Sequence, residues 1–191
     1  MQRIGLFGGS FDPVHLGHLL VAQAAIEELG LDRLFFIPAA QSPFKPTNQP
    51  ALASTRLQLL RLALAGKINC EIDDQEIRRG GVSYTIETVR DYAKRFPKAE
   101  LFYLIGADNA AKLPEWREAK ELARLAQFVV TPRPGETPVN FPAPFRGRKL
   151  KGFPLAVSSS EIRARVKAGL PVEPLVPPAV AEAIRAARLY L

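Results

Sequence analysis

Short apolar runs alternate along the chain with longer stretches in which apolar side chains recur at helical spacing, the pattern of a mainly parallel sheet covered by helices. Arg3 to Phe7 predicts a buried first strand, stopped by Gly8-Gly9. Leu16 to Leu29 predicts a helix, with Leu19, Ala22, Ile26 and Leu29 on one face, Gln23, Glu27 and Glu28 opposite, and Gly30 as its stop. Leu34 to Ile37 predicts a second strand ended by Pro38, and the proline-rich segment 41–50 a loop. Ser54 is a candidate cap for a helix to about Leu64. A short strand over Cys70 to Asp73, a turn at Gly80-Gly81 and a helix over Thr85 to Phe96 follow. Leu101 to Ile105 predicts a strand ending in Gly106-Ala107-Asp108, and a helix around Glu115 to Ala123 leads into a strand over Gln127 to Thr131.

Residues 132–154 break this rhythm, with six prolines, three glycines and no periodicity, and predict a long surface loop. Beyond it the pattern gives a small strand over Leu155 to Val157, a helix from Ser158 to about Lys167 closed by Gly169 and Pro171, and a terminal helix over Pro178 to Tyr190. No internal repeat interrupts the sequence. The expected architecture is α/β, a Rossmann-like doubly wound sheet in a single domain over 1–191, with a small C-terminal helical subdomain over about 158–191.

Composition narrows the class. A chain of 191 residues with 47% hydrophobic and 24% charged side chains is an ordinary globular protein with a sizeable core. Its single cysteine, Cys70, excludes an internal disulfide and a zinc framework. No secretory signal pattern and no stretch of about eighteen apolar residues is present, so a cytoplasmic protein without a membrane partner is expected. The net charge of +7 is concentrated late: residues 133–151 carry five basic side chains against Glu136 alone. Residues 161–191 add five basic and three acidic side chains, and this basic C-terminal third points to an anionic partner, either nucleic acid or a small phosphorylated substrate; charge alone does not separate the two.

The richest chemistry lies in Gly8-Gly9-Ser10-Phe11-Asp12-Pro13-Val14-His15-Leu16-Gly17-His18. A strand, a glycine turn and a helix N-terminus together form an anion site, because backbone N–H groups and the helix dipole both favour negative charge. Gly8 and Gly9 let a phosphate or base approach the backbone. His15 and His18, three residues apart, can bring both rings to one point and donate to polyphosphate oxygens. A zinc site would need three or four ligands, and these are the only two histidines. Neither a Walker A sequence nor G-x-G-x-x-G occurs. Farther on, Ser158-x-x-Glu161 is a capping box, but its helix still offers N–H groups, the hydroxyls of Ser159 and Ser160, and the Arg163 fork for phosphate oxygens.

Gly-Gly-Ser-Phe-Asp-Pro-x-His-x-Gly-His after an N-terminal strand resembles the signature of the H-x-G-H nucleotidyltransferase superfamily, and most nearly the bacterial nicotinate-nucleotide adenylyltransferase family. The resemblance runs on in order through Pro43-Phe44-Lys45, Val82-Ser83-Tyr84-Thr85, Leu104-Ile105-Gly106-Ala107-Asp108-Asn109, Trp116, Arg133-Pro134-Gly135 and Ser158-Ser159-Ser160-Glu161-Ile162-Arg163. Val157 and Ser160 replace the usual Ile and Thr of the last motif, and Arg117 stands where the family often has an aromatic.

The resemblance implies an ATP site built from Gly8, Gly9, Ser10, Phe11, His15, His18, Gly106, Asp108, Ser158, Ser159, Ser160 and Arg163, with His15 and His18 catalytic. It implies a mononucleotide site from Lys45, Ser83, Tyr84, Thr85, Trp116 and Arg133. The implied reaction joins nicotinate mononucleotide to the α-phosphate of ATP and releases pyrophosphate. Mg²⁺ is expected to arrive with ATP, since no carboxylate cluster suits a protein-held ion. No nucleic-acid partner is expected, and a homo-oligomer is compatible with the sequence. The alternatives are another H-x-G-H adenylyltransferase, such as pantetheine-phosphate adenylyltransferase, or a non-catalytic nucleotide- or RNA-binding module. A class I aminoacyl-tRNA synthetase is disfavoured by the short chain and the absence of Lys-Met-Ser-Lys-Ser.

Overall fold

A computed structural model describes residues 1–41, 50–131, 140–153 and 155–191. The strands are β1 (Arg3–Gly9), β2 (Arg33–Pro38), β3 (Cys70–Ile72), β4 (Glu100–Gly106), β5 (Gln127–Thr131) and β6 (Gly147–Lys149). They form one sheet in the order β3-β2-β1-β4-β5-β6, every pair parallel. The helices are α1 (Leu16–Leu29), α2 (Ala53–Leu64), α3 (Gln75–Arg79), α4 (Thr85–Arg95), α5 (Ala107–Ala110), α6 (Ala119–Leu125), α7 (Ser159–Lys167) and α8 (Pro178–Ala186).

The near-continuous apolar character of β1, β2 and β4 follows from burial on both faces, the usual state of a parallel sheet. Successive side chains point to opposite sides and build two cores. Phe7, Leu34, Phe36, Phe102 and Leu104 meet α1 and α2 through residues such as Ala25, Leu29 and Leu60. Ile4, Leu6, Phe35, Tyr103 and Ile105 meet α4 and α6 through Ile86, Val89 and Leu122. Val172, Val176, Val180 and Ile184, around and within α8, join the first of these cores. The strand order reverses between β1 and β4, so their carboxyl ends open a crevice at the switch point, where doubly wound sheets bind ligands.

Several sequence expectations change. Residues 147–149 form a strand inside the expected loop, pairing with β5 through Phe128 and Gly147, while Phe145 and Leu150 on either side are buried. With the edge beside β5 so occupied, Leu155 to Val157 is not a strand and lines the crevice instead. The expected helix from Glu115 is a 3-10 turn (Leu113–Glu115) followed by α6, separated where Glu118 adopts a left-handed φ of 54°. The last helix stops at Ala186, before the positive φ of Arg188 and Tyr190. Ser54 falls inside the first turn of α2, whose cap position is Leu52, and caps nothing. The short α3 adds a helix of five residues between β3 and the Gly80-Gly81 turn.

Candidate active site

The loop after β1 and the start of α1 wall one side of a crevice of about 700 Å³; the end of β4 lies on its floor, and the start of α7 faces α1. Of the residues singled out in the sequence, Gly8, Gly9, Ser10, Phe11, His15, His18, Gly106, Asp108, Ser158, Ser159, Ser160 and Arg163 all line it, as do Ser83, Thr85 and Trp116. Tyr84 does not line it; its ring lies under the Arg117 guanidinium, 4.5 Å from the ring centre. Lys45 and Arg133 lie outside the described residues.

His15 occupies the cap position of α1 with extended backbone, and its N–H donates to Nδ1 of His18 at 3.2 Å. With Nδ1 of His18 accepting, the neutral ring carries its proton on Nε2. The two rings are in contact, with centroids 3.7 Å apart, and the Phe11 ring packs edge-on to His18. Gly17 makes this possible: a Cβ there would lie 2.9 Å from Val157 Cγ1 and 3.0 Å from His15 Nδ1. Gly8, which lines the crevice, also makes room for a neighbouring strand. A Cβ there would stand 2.3 Å from the Tyr103 hydroxyl, so the missing side chain admits a phenol from β4 to the crevice floor. Burial and the nearby Glu76 charge push the Tyr103 phenol up, and its oxygen accepts the Thr85 hydroxyl at 3.5 Å.

The two helix beginnings touch. Ser158 caps α7, its hydroxyl accepting the Glu161 N–H at 3.2 Å. The Ser159 hydroxyl donates to the Pro13 carbonyl at 2.9 Å, and Arg163 donates to the Asp12 carbonyl at 2.6 Å. The start of α7 and the loop leading into α1 therefore meet at one space, where the positive dipole ends of both helices favour an extended polyanion, although the Leu16 N–H of α1 is itself taken by the Leu175 carbonyl at 3.0 Å. Across the crevice the Ser83 hydroxyl accepts the Ala40 N–H at 3.0 Å, fixing the Val82-Ser83 segment against the end of β2. Trp116 stands edge-to-face with Tyr103 and with Phe128, half-buried at the wall. Arg117 bridges to Glu87 at 3.3 Å besides covering Tyr84, so the departure at this position clamps the turn carrying Trp116 to α4. Asp108 sits exposed in the first turn of α5 rather than at its cap, which is Gly106.

Sequence reasoning did not single out Glu76, Tyr103 or Thr131 at this crevice. Tyr103 reads as one more apolar position of a buried strand, and only its pairing in space with Gly8 reveals it.

A switch-point crevice with two helix starts and paired imidazoles defines a nucleotide-handling α/β protein, and the family model for cytidylyltransferase-like proteins matches residues 6–165. A probable nicotinate-nucleotide adenylyltransferase of Opitutus terrae is 43% identical over 192 residues, covering 99% of this chain and 98% of its own. A relative of the same description from Methylacidiphilum infernorum is 38% identical over 99% of this chain. The fold matches that of a Plasmodium falciparum nicotinic acid mononucleotide adenylyltransferase complexed with NaAD, with a TM-score of 0.79 at 16% identity over 100% of this chain and 98% of that one. The chain is thus a member of the cytidylyltransferase-like class. Within it, the chain belongs to the nicotinate-nucleotide adenylyltransferase family.

Proposed function

We propose that this enzyme transfers the adenylyl group of ATP to nicotinate mononucleotide, giving nicotinate adenine dinucleotide and pyrophosphate, a step of NAD biosynthesis. The observation that carries the reading is the meeting of the α1 and α7 beginnings over His15 and His18, in a chain of this family. The attacking group is the mononucleotide phosphate, with a second pKa of about 6, so it is anionic at neutral pH and needs no general base. One of its oxygens forms a bond to the α-phosphorus as the bond from that phosphorus to the α–β bridging oxygen of ATP breaks in line, and that oxygen leaves with pyrophosphate.

The task left to the protein is to align two anions that repel each other and to stabilise charge on the leaving group. In this reading His18, with its Nε2 proton, and His15 donate to the α-phosphate oxygens. The start of α7 with Ser159, Ser160 and Arg163 takes the outer phosphates. Gly106 and Asp108 face the nucleoside. Thr85, Ser83 and Trp116 form the pyridine side, with Tyr84 acting through Arg117. Lys45 and Arg133 are assigned to the phosphates and the mononucleotide on resemblance alone. Mg²⁺ accompanying ATP would supply further charge neutralisation. Among the described residues no group of three or more His, Cys, Asp or Glu is placed to hold an ion, and the proposal gives Mg²⁺ no site made of side chains alone. No helix among the described residues is long and apolar enough to cross a membrane, and the reading places the enzyme with its substrates in the cytoplasm.

The test is pyrophosphate release from Mg-ATP with nicotinate mononucleotide, nicotinamide mononucleotide or phosphopantetheine as acceptor. Release should be fastest with nicotinate mononucleotide. Fastest release with phosphopantetheine would replace the acceptor, and none with any of them would remove the enzymatic reading.

A further inference from the structure

The side of the Ser10–Pro13 loop turned away from the crevice is held by groups that no motif marks. Arg56, on α2, heads the fully buried side chains by size, at 2% exposure. A buried guanidinium is costly unless its donors are used. Its Nη1 donates to the Ser10 carbonyl at 2.8 Å and its Nε to the Ala51 carbonyl at 3.1 Å. Burial lowers its pKa, and the charge of Asp12 opposes that fall. The Asp12 carboxylate, 4% exposed, accepts the Tyr190 hydroxyl at 2.8 Å and the Ala51 N–H at 3.3 Å through one oxygen. Its other oxygen lies 3.8 Å from Arg163. Burial and the Asp12 charge push the Tyr190 phenol up, so it remains a donor.

The planar trans peptide turns this holding into orientation: with the Ser10 carbonyl drawn to Arg56, the Phe11 N–H of the same peptide unit points the opposite way. Arg56 and Tyr190 do not line the crevice, whereas Ser10 and Phe11 do. Phe11 also sits at φ 47°, a left-handed conformation that a non-glycine residue keeps only when its surroundings impose it.

We infer that Arg56 and Tyr190 are positioning residues, which hold the Ser10 carbonyl and the Asp12 carboxylate from behind and so aim the loop's N–H groups at the phosphates of ATP. Residues far along the chain thereby set the geometry of the first phosphate loop. The inference rests on the adenylyl-transfer reading for its kinetic readout only; ATP binding tests it separately.

The experiment compares the full chain with Tyr190→Phe, Arg56→Lys and, as a stability control, Val180→Ala in the buried face of α8. Melting temperature, the calorimetric Kd for ATP, and kcat and KM for pyrophosphate release are measured for each. Tyr190→Phe loses one hydrogen bond to a charged group and should weaken ATP binding and lower kcat by about fivefold to tenfold each. Its KM for nicotinate mononucleotide should stay within about twofold. Arg56→Lys, which keeps the charge and loses the fork, should change the same quantities further. Val180→Ala should melt lower than either with the wild-type Kd for ATP.

An unchanged Kd and kcat in Tyr190→Phe would overturn the inference, as would a Val180→Ala protein that loses ATP binding in step with its melting temperature. If Arg56→Lys does not fold, Tyr190→Phe decides alone. A wild type that binds ATP but releases no pyrophosphate would sink the functional reading while the Kd series still judges the clamp. A wild type that binds no ATP sinks both.

Discussion

His18 accepts a backbone N–H at one ring nitrogen and therefore presents the other as a donor. A donor held this way gains most where charge develops during reaction rather than where ATP simply rests. Replacing His18 with Ala is accordingly expected to lower kcat by about 10²–10³-fold, the usual loss for one oriented donor, with the Kd for ATP changing by less than about threefold. Steady-state kinetics beside calorimetry checks this, and equal losses in both would assign the ring to ground-state binding. The pair depends on small neighbours: Gly17 leaves room for His15 Nδ1 and for Val157 from the opposite wall. Phe11, whose left-handed backbone costs about 1–3 kcal/mol, is held there by ring contacts with Phe7, Phe36 and His18 and by the anchored loop carbonyls.

At the scale of elements, the crevice wall carrying Ser83 and Thr85 leads into a joint between the end of β3 and α4. Asp73 just beyond β3 accepts hydrogen bonds from Tyr92 and Arg95 of α4, both at 2.7 Å, and from the Gln75 N–H at 3.0 Å. Burial pushes the Asp73 carboxyl up, but these bonds outweigh it and the group sits below its ordinary value. A carboxyl whose pKa falls on folding stabilises the fold above its unfolded value of about 3.9, and that contribution drains away as pH falls through the lower folded value. The melting temperature should therefore drop as pH is lowered from about 5 to 2, and Asp73→Asn should melt lower at neutral pH with a flatter acid decline. Parallel acid profiles for the two proteins would remove Asp73 from the account. The same region shows how a family departure is absorbed. Arg117 stacks on Tyr84 and pairs with Glu87, so a cation does at the surface what packing would otherwise do.

For the whole molecule, the reversal of strand order between β1 and β4 is what brings the first loop and the late α7 together. Most of this was legible in the sequence, because buried parallel strands announce themselves as apolar runs and because the glycine, histidine and capping motifs that line the crevice stand in the order the family resemblance implies. The bounds of α1 and β5 follow directly from their pattern. What escaped had no local signal. Gly147-Arg148-Lys149 is exposed along its length and becomes a strand only because β5 offers it an edge. Five residues are too few for α3 to show a period. Arg56 reads as the polar side of an amphipathic helix, and its burial follows from carbonyls contributed by Ser10 and Ala51. Tyr190 meets Asp12 across 178 positions of chain.

Because His15 and His18 are the only histidines, an imidazole ¹⁵N–¹H spectrum of the protein contains just two ring systems. Titration with Mg-ATP, inorganic pyrophosphate and adenosine examines the grip on the triphosphate directly. Both rings should shift with ATP and with pyrophosphate and stay in place with adenosine. Rings that ignore ATP at saturation, or that answer adenosine as strongly as pyrophosphate, would contradict it.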